Sequence, residues 1–141
     1  MYQVINAIGP IVTFSMRGGG TGITPMYQVI NAILSDPGDH TEIYLVYANR
    51  TEKDILLREE LEEMARLYSN FHVWYVISKS VEDGWMYSMG HIRHEILTEH
   101  IPEGSDETLA LLCGPPPMIQ LACLPNLEKM KYDLNTSCFL F

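Results

Sequence analysis

The sequence predicts an α/β fold in which an open parallel sheet of about five strands is covered by helices on both faces. Two observations predict it. Short apolar runs rich in strand-forming residues alternate along the chain with segments of helical periodicity, and the connections between them are short. Such an alternation favours right-handed crossovers between parallel strands, which are buried on both faces.

The first half of the chain contains three predicted strands and two predicted helices. Residues 11–16 (IVTFSM) form a strand, a glycine-rich loop follows, and residues 25–34 form a helix. We expect Thr24 to cap this helix and Pro25 to occupy its first position, where a fixed φ and a missing N–H are tolerated. Residues 42–48 and 71–78 read as strands, and residues 54–68 between them have the acidic and apolar faces of an amphipathic helix.

The second half repeats the alternation. A loop passes through Gly84, a helix is expected from about residue 92 to 100, and residues 108–113 (TLALLC) form a short buried strand. A Gly-Pro turn then precedes a helix from about Met118, and residues 137–141 (SCFLF) add a last strand. In sheets of this kind ligands bind outside the carboxyl ends of the strands.

Composition indicates one domain that binds neither nucleic acid nor membranes. The chain has 141 residues, 47% of them apolar, and a net charge of −9, which repels nucleic acid and anionic membrane surfaces. Its three cysteines form no CxxC pair, and we find no secretion signal or spanning segment. We therefore expect a cytoplasmic protein, in which the two glycosylation sequons at Asn49 and Asn135 are chance matches.

An eight-residue segment, MYQVINAI, occurs twice, at residues 1–8 and 26–33. A repeat architecture needs more copies than this, so we interpret the first copy as an irregularity of the chain's start. We accordingly assign residues 1–17 to an atypical N-terminal edge and residues 18–141 to the domain itself.

The loop after the first strand is a candidate phosphate site. It reads, in order, Gly18, Gly19, Gly20, Thr21, Gly22, Ile23, Thr24 and Pro25. Glycines allow a ligand to approach the backbone closely, and the start of the following helix supplies free N–H groups and partial positive charge, which suits a dinucleotide pyrophosphate. The string departs from GxGxxG because Pro25 stands at the last glycine position, and a merely flexible turn is the alternative.

A second candidate lies at the end of the predicted strand 108–113. Cys113 is followed by Gly114, three prolines from Pro115 and then Met118. Successive prolines make a stiff turn that could hold a flat ring beside Cys113. The alternative is that Cys113 is only a small core residue, which is the commoner role for a lone cysteine that ends a buried strand.

Four motifs in order resemble the NADH-binding lobe of the cytochrome b5 reductase family. They are GGTGITPM at residues 19–26, YANRTEKDILLREEL at residues 47–61, CGPPPM at residues 113–118 and the terminal Phe141. The stretches EHIPEG at residues 99–104 and NLEKMKYD at residues 126–133 are similar to plant nitrate reductases in particular. The resemblance covers roughly residues 18–141 and implies the C-terminal lobe of a ferredoxin reductase-like fold.

The resemblance also implies a function. Gly19, Gly20, Thr21 and Gly22 are expected to line the pyrophosphate of NADH, and Cys113 with Pro115 to lie by its nicotinamide. Hydride would then pass to FAD, and electrons onward to a b-type haem and a molybdenum centre on other domains that reduce nitrate. The expected partners are NADH, a flavin-binding lobe and a cytochrome b5-like domain. Phe141 corresponds to a terminal aromatic near the flavin, although capping the apolar face of the last strand is an equally good role.

The segment after the second strand bears on nucleotide choice. Asn49, Arg50 and Asp54 occupy the place where nucleotide-binding sheets read the adenosine ribose. Asp54 favours NADH, because a carboxylate accepts a ribose hydroxyl and repels a 2′-phosphate, whereas the Arg50 guanidinium suits a phosphate. The alternative for Asp54 is an acidic residue that only stabilises the start of its helix. We expect NADH to be preferred.

The chain also departs from the family. Only seventeen residues precede Gly18, so we expect the flavin-binding lobe to be absent and the isolated chain to bind nucleotide weakly and reduce nothing. The segment at residues 66–69 matches the flavin-binding pattern Arg-x-Tyr-Ser by coincidence. A noncatalytic nucleotide-binding fragment or isoform, or a cytochrome b5 reductase, are the alternative functions.

The histidines give little support for a metal. His91 and His94 are three residues apart on a possible helix, but no carboxylate or cysteine has a supporting spacing. We therefore expect no metal site.

Overall fold

A computed structural model describes residues 11–16, 23–79 and 83–140 and contains one fully parallel sheet of six strands. The strands are β1 (Ile11–Met16), β2 (Ile43–Asn49), β3 (Phe71–Ile77), β4 (Ser88–Met89), β5 (Leu109–Cys113) and β6 (Cys138–Leu140). The predicted α/β class is confirmed. The sixth strand is β4, whose two residues pair with the end of β3 and lie in a segment we had predicted as loop.

The strand order is β4-β3-β2-β1-β5-β6. The chain therefore builds outward from β1 in one direction to β4, and then crosses to the other side of β1 to add β5 and β6. This change of direction lies between β1 and β5, where the crossovers leave a crevice that parallel sheets use for ligands. The predicted N-terminal edge thus includes the central strand of the sheet.

Helices cover both faces of the sheet, as predicted, and enclose two apolar cores. On one face lie α1 (Ile23–Ser35) and α2 (Arg58–Leu67), packed against inward side chains of β2 and β3 such as Leu45 and Tyr75. On the other lie α3 (His94–His100), α4 (Pro116–Met118), a π-helical segment (Ile119–Cys123) and α5 (Leu124–Lys129).

The start of α1 is two residues earlier than predicted. The helix begins at Ile23, so Thr24 and Pro25 lie inside its first turn, and the predicted cap at Thr24 is wrong. Its buried residues recur every three or four positions: Met26, Val29, Ile30 and Ile33 are all at most 8% exposed. The second copy of MYQVINAI therefore supplies four buried residues to the core face of α1, while the first copy lies outside the described residues.

The prediction of a single helix over residues 54–68 is wrong, because the structure has a 3₁₀ turn and a separate α-helix there. A 3₁₀ turn at Glu52–Asp54 is followed by extended Ile55, and α2 begins only after Leu57. Ile55 is buried and Leu57 packs against the same core with a left-handed φ of 59°. Burial of these two apolar side chains bends the chain where helical periodicity alone predicts a straight helix.

The last helical stretch also differs from the prediction. It begins at Pro116 rather than near Met118, and its middle is π-helical, with the Leu124 N–H bonded to the Ile119 carbonyl. Pro125 follows directly and has no N–H to donate to the preceding turn. The wider turn accommodates a proline that would interrupt a regular α-helix. Residue 92 is not yet helical, because α3 begins at His94.

The segment before β5 is bound to the end of α5. The Gly104 N–H donates to the Met130 carbonyl at 2.7 Å, and the Tyr132 hydroxyl donates to the Pro102 carbonyl at 2.6 Å. A Cβ at Gly104 would lie 2.5 Å from the Lys131 carbonyl oxygen, so only glycine fits. We call this contact the 102–104/130–132 junction.

Among the described residues no helix is both long and apolar enough to cross a lipid bilayer.

Candidate nucleotide-binding site

The carboxyl ends of β1 and β5 lie side by side at the point where the strand order changes direction. Ser15 of β1 is the register partner of Cys113 of β5. The glycine segment that leaves β1 and the Cys-Gly-Pro segment that leaves β5 therefore start from neighbouring strand ends. The predicted residues Gly19, Gly20, Thr21 and Gly22, as well as Phe141, lie outside the described residues.

A cleft of about 560 Å³ opens at the carboxyl ends of β2 and β3, a volume within the range of small-molecule sites. It brings the adjacent residues Asn49 and Arg50 together with Met118, a predicted binding residue from a distant part of the sequence. It is further lined by Ala48, Ser78, Gly90, His91 and Ile92, which sequence reasoning did not select. Ser78 could have been found because it directly follows a strand, whereas the segment around Gly90 enters only through the unpredicted β4.

Asn49 is the most informative residue of this cleft. It ends β2 and is only 8% exposed, and its amide nitrogen Nδ2 has no hydrogen-bond partner of acceptable geometry. The amide is nevertheless near enough to the Tyr47 hydroxyl to act on it: burial raises the pKa of Tyr47, and the Leu56 N–H and Asn49 oppose the shift. A buried donor without an acceptor is unfavourable, and beside a cleft such a donor can be satisfied by the oxygen of a ligand.

One unpaired cation, Arg50, lines the cleft, although the chain as a whole is acidic. The side chains of Arg50, Lys53 and Lys79 form no ion pair with any described residue. Arg50 and Lys79 are exposed and are tied together by the Lys79 N–H, which donates to the Arg50 carbonyl at 2.8 Å. Unpaired cations at strand ends favour an anionic ligand.

Asp54 lies in the 3₁₀ turn after β2 and is exposed. Its Oδ2 accepts hydrogen bonds from the Thr51 N–H at 3.1 Å and from the Thr51 hydroxyl at 2.9 Å. Asp54 thus stabilises the turn, as the alternative interpretation expects, and its contact with a ribose stays a prediction.

Cys113 ends β5 and packs half-buried against the core on the α1 side of the sheet. Burial raises the pKa of its thiol, so the sulfur stays protonated at neutral pH. Gly114 and Pro115 continue from it half-buried, and the Pro115 carbonyl accepts the Met118 N–H at 3.0 Å as α4 begins. This ledge is stiff and carries no thiolate, which fits contact with a ring rather than nucleophilic attack.

A second cleft of about 540 Å³ adjoins the first and shares His91, Ile92 and Met118 with it. His94 also lines it, and Leu121 of the π-helical segment is 80% exposed at its side. No group of three or more potential metal ligands exists in the part of the chain that the structure describes.

Comparison with known proteins gives one consistent result. The family model for the oxidoreductase NAD-binding domain matches residues 16–124. The chain is 61% identical over 127 residues to "Inducible nitrate reductase [NADH] 1" of Glycine max and 60% identical over 127 residues to "Nitrate reductase [NAD(P)H]" of Betula pendula, with 90% of this chain and 14% of each relative covered.

A solved structure agrees. The cytochrome b5 reductase domain of Ulva prolifera nitrate reductase superposes with a TM-score of 0.89 at 43% identity, over 95% of this chain and 49% of that one. The chain therefore spans about a seventh of its plant relatives and about half of the solved reductase domain.

Proposed function

We propose that this chain, which belongs to the oxidoreductase NAD-binding domain family, is the NADH-binding part of an NADH-dependent nitrate reductase. The observation that carries the proposal is the cleft at the strand ends, which is lined by the unpartnered Asn49 amide and by Arg50, a cation without an ion pair among the described residues. We place the domain at residues 18–141 together with β1, in the cytoplasm.

The described residues fit a dinucleotide. The Asn49 amide would donate to a ribose or phosphate oxygen, and Arg50 would neutralise phosphate charge. Thr24 and Pro25 stand in the first turn of α1, where helix N–H groups and partial positive charge suit the pyrophosphate next to Gly19, Gly20, Thr21 and Gly22.

At the other end of the nucleotide, the ledge formed by Cys113, Gly114 and Pro115 would orient the nicotinamide. When bound, NADH supplies a hydride for FAD, which sits on a part of the enzyme outside this chain. The chain's own contribution is positioning, because the neutral Cys113 thiol fills space beside the ring without taking or giving a proton. Met118 lines both clefts and would limit how far the nucleotide can shift.

Beyond this chain, we propose that electrons pass from FAD to a b-type haem on a cytochrome b5-like domain and then to a molybdenum centre that reduces nitrate. The names of the relatives support nitrate reduction as the final step, since they are nitrate reductases of which the chain spans one part, and the family resemblance implies the haem and the molybdenum centre. Phe141 would lie near the flavin, as in the family.

The experiment that tests the proposal measures NADH binding to the purified chain by calorimetry, and then ferricyanide reduction after a separately purified flavin-binding half is added. We expect weak NADH binding by the chain alone and activity only in the mixture. Retention of FAD and ferricyanide reduction by the chain alone would contradict the proposal that this chain binds NADH while FAD is bound elsewhere in the enzyme. Binding without activity in the mixture would favour the noncatalytic alternative.

A further inference from the structure

Arg58, the first residue of α2, contacts several separate parts of the fold. Its Nη1 donates to Oε1 of Glu52 in the 3₁₀ turn at 2.6 Å, and its Nε donates to Oε1 of Glu62 in α2 at 2.9 Å. Its guanidinium carbon lies 5.6 Å from the ring centroid of Trp85, in the segment between β3 and β4, and 5.6 Å from that of Tyr75 in β3. One side chain therefore joins the segment after β2 to the segment after β3.

The segment after β2 contributes one part of the cleft wall. Asn49 and Arg50 line the cleft, and Glu52 follows two residues later. The Ser78 N–H donates to the Asn49 carbonyl at 3.1 Å, and the Lys79 N–H donates to the Arg50 carbonyl at 2.8 Å. Just beyond these bonds, the Glu52 carboxylate anchors the same segment to α2 through Arg58.

The segment after β3 contributes another part of the wall. The Trp85 indole N–H donates to the Ser88 carbonyl at 3.0 Å, and the Gly90 N–H donates to the Ile77 carbonyl at 2.8 Å. Gly90 and the next residue, His91, line the cleft. Trp85 is therefore connected through a short hydrogen-bonded turn to the cleft wall at residues 90–91.

We propose that Arg58 is a positioning residue that holds two parts of the NADH cleft wall in place, residues 49–50 and residues 90–91. This inference rests on the proposed function. Arg58, Glu52 and Trp85 do not line the cleft themselves, so Arg58 acts through its two partners. A guanidinium suits this role because its separate N–H groups bond two carboxylates at once while its face lies against aromatic rings.

A wall that is already in place favours binding. A ligand that must first order its site loses part of its interaction free energy to conformational entropy, and a fixed wall avoids this loss. Release of either tie should therefore weaken NADH binding although no contact to the nucleotide is removed.

The first test measures the NADH dissociation constant and the melting temperature of the purified chain for wild type, Arg58→Met, Glu52→Gln and Glu62→Gln. The two glutamine variants each remove one carboxylate from the same guanidinium, at 2.6 and 2.9 Å. They are matched in chemistry, but only Glu52 lies on the segment that leads to the cleft. Loss of a negative charge would by itself favour an anionic nucleotide, so weaker binding in Glu52→Gln does not come from charge.

We expect the NADH dissociation constant to rise about three- to fivefold in Glu52→Gln and about tenfold in Arg58→Met. In Glu62→Gln it should stay within about 1.5-fold of wild type, while the melting temperature falls as much as in Glu52→Gln. A residue that only stabilises the fold would not separate the two glutamine variants in this way.

The second tie is tested with Trp85→Leu and with the double variant Arg58→Met/Trp85→Leu. We expect Trp85→Leu to weaken NADH binding, and the double variant to weaken it by less than the product of the two single effects, because both changes release the wall at residues 90–91. Effects that multiply fully would overturn the inference for that wall.

The remaining outcomes are distinct from one another. If Glu52→Gln and Glu62→Gln weaken NADH binding equally, or if Arg58→Met leaves it unchanged, Arg58 only stabilises the fold and the inference is overturned while the proposed function stands. Failure of the wild-type chain to bind NADH overturns the proposed function itself.

Discussion

Replacement of Asn49 by leucine is expected to make the protein more stable and a poorer binder of NADH. The Asn49 amide nitrogen is buried without a partner, and an unsatisfied buried donor costs about 1–3 kcal/mol. Leucine has the same branching and number of side-chain heavy atoms and no polar atom, so Asn49→Leu should raise the free energy of unfolding by about 1–2 kcal/mol. For a domain of this size that is a rise of roughly 3–8 °C in melting temperature.

The same substitution removes the hydrogen bond that we propose the Asn49 amide donates to the nucleotide. A bond of this kind to a charged oxygen contributes about 1.5–3 kcal/mol, so we expect the NADH dissociation constant to increase roughly 10- to 100-fold. Calorimetric melting and NADH titration of the same preparation measure both effects.

The chain offers a matched control in Tyr75, whose hydroxyl is the other buried and unpartnered polar side-chain atom of the described residues. Tyr75 lies in the middle of β3, on the core side. Tyr75→Phe should therefore give a comparable gain in stability and leave NADH affinity unchanged. The reasoning is refuted if Asn49→Leu lowers stability while NADH binds as before.

Three further predictions follow from particular contacts. Gly104→Ala should lower the free energy of unfolding by about 1–3 kcal/mol, because its Cβ would meet the Lys131 carbonyl oxygen at 2.5 Å. In urea unfolding the control is Gly38→Ala, whose Cβ has only an ordinary contact at 3.4 Å. His100 stacks on Trp74 at 3.7 Å between ring centroids, and burial lowers its pKa while Glu99 partly opposes this. The imidazole of His100 then binds a proton more tightly in the unfolded chain than in the folded one, so the free energy of unfolding should fall as the pH drops below about 6.5. Melting temperatures of His100→Gln measured against pH test this, and an unchanged pH dependence would contradict it. Burial raises the pKa of the Cys113 thiol, so iodoacetamide should label Cys113 slowly at pH 7 and faster above about pH 9. Mass spectrometry measures the labelling, and rapid labelling at pH 7 would contradict a raised pKa.

The sequence predicted the sheet well because its strands are short, apolar and bounded by turn residues. β1 was located at its observed bounds, Ile11–Met16, and the parallel arrangement followed from the alternation with helices. The sequence could not predict the interruption before α2, because Ile55 and Leu57 fit a helical periodicity. Their backbone departs from helical geometry only because their side chains pack against the core. β4 was missed because two residues are too few to form a periodic pattern.

For the site, residue types and strand ends were enough to select Asn49, Arg50 and Met118, which the fold brings to one cleft. His91 was considered only as a possible metal ligand, although it lines both clefts. Its place depends on the turn after β4, where Gly90 has a φ of +101°, and no local pattern reveals which strand end such a turn approaches.

The 102–104/130–132 junction gives a structural role to the two stretches that resemble plant nitrate reductases, residues 99–104 and 126–133. They are separated in sequence by β5 and the helices after it, yet Gly104 and Tyr132 join them by backbone and hydroxyl contacts. A substitution in residues 102–104 is therefore constrained by residues 130–132, and the reverse also holds. A chimera of two reductases of this family would therefore have to take both segments of the 102–104/130–132 junction from the same parent.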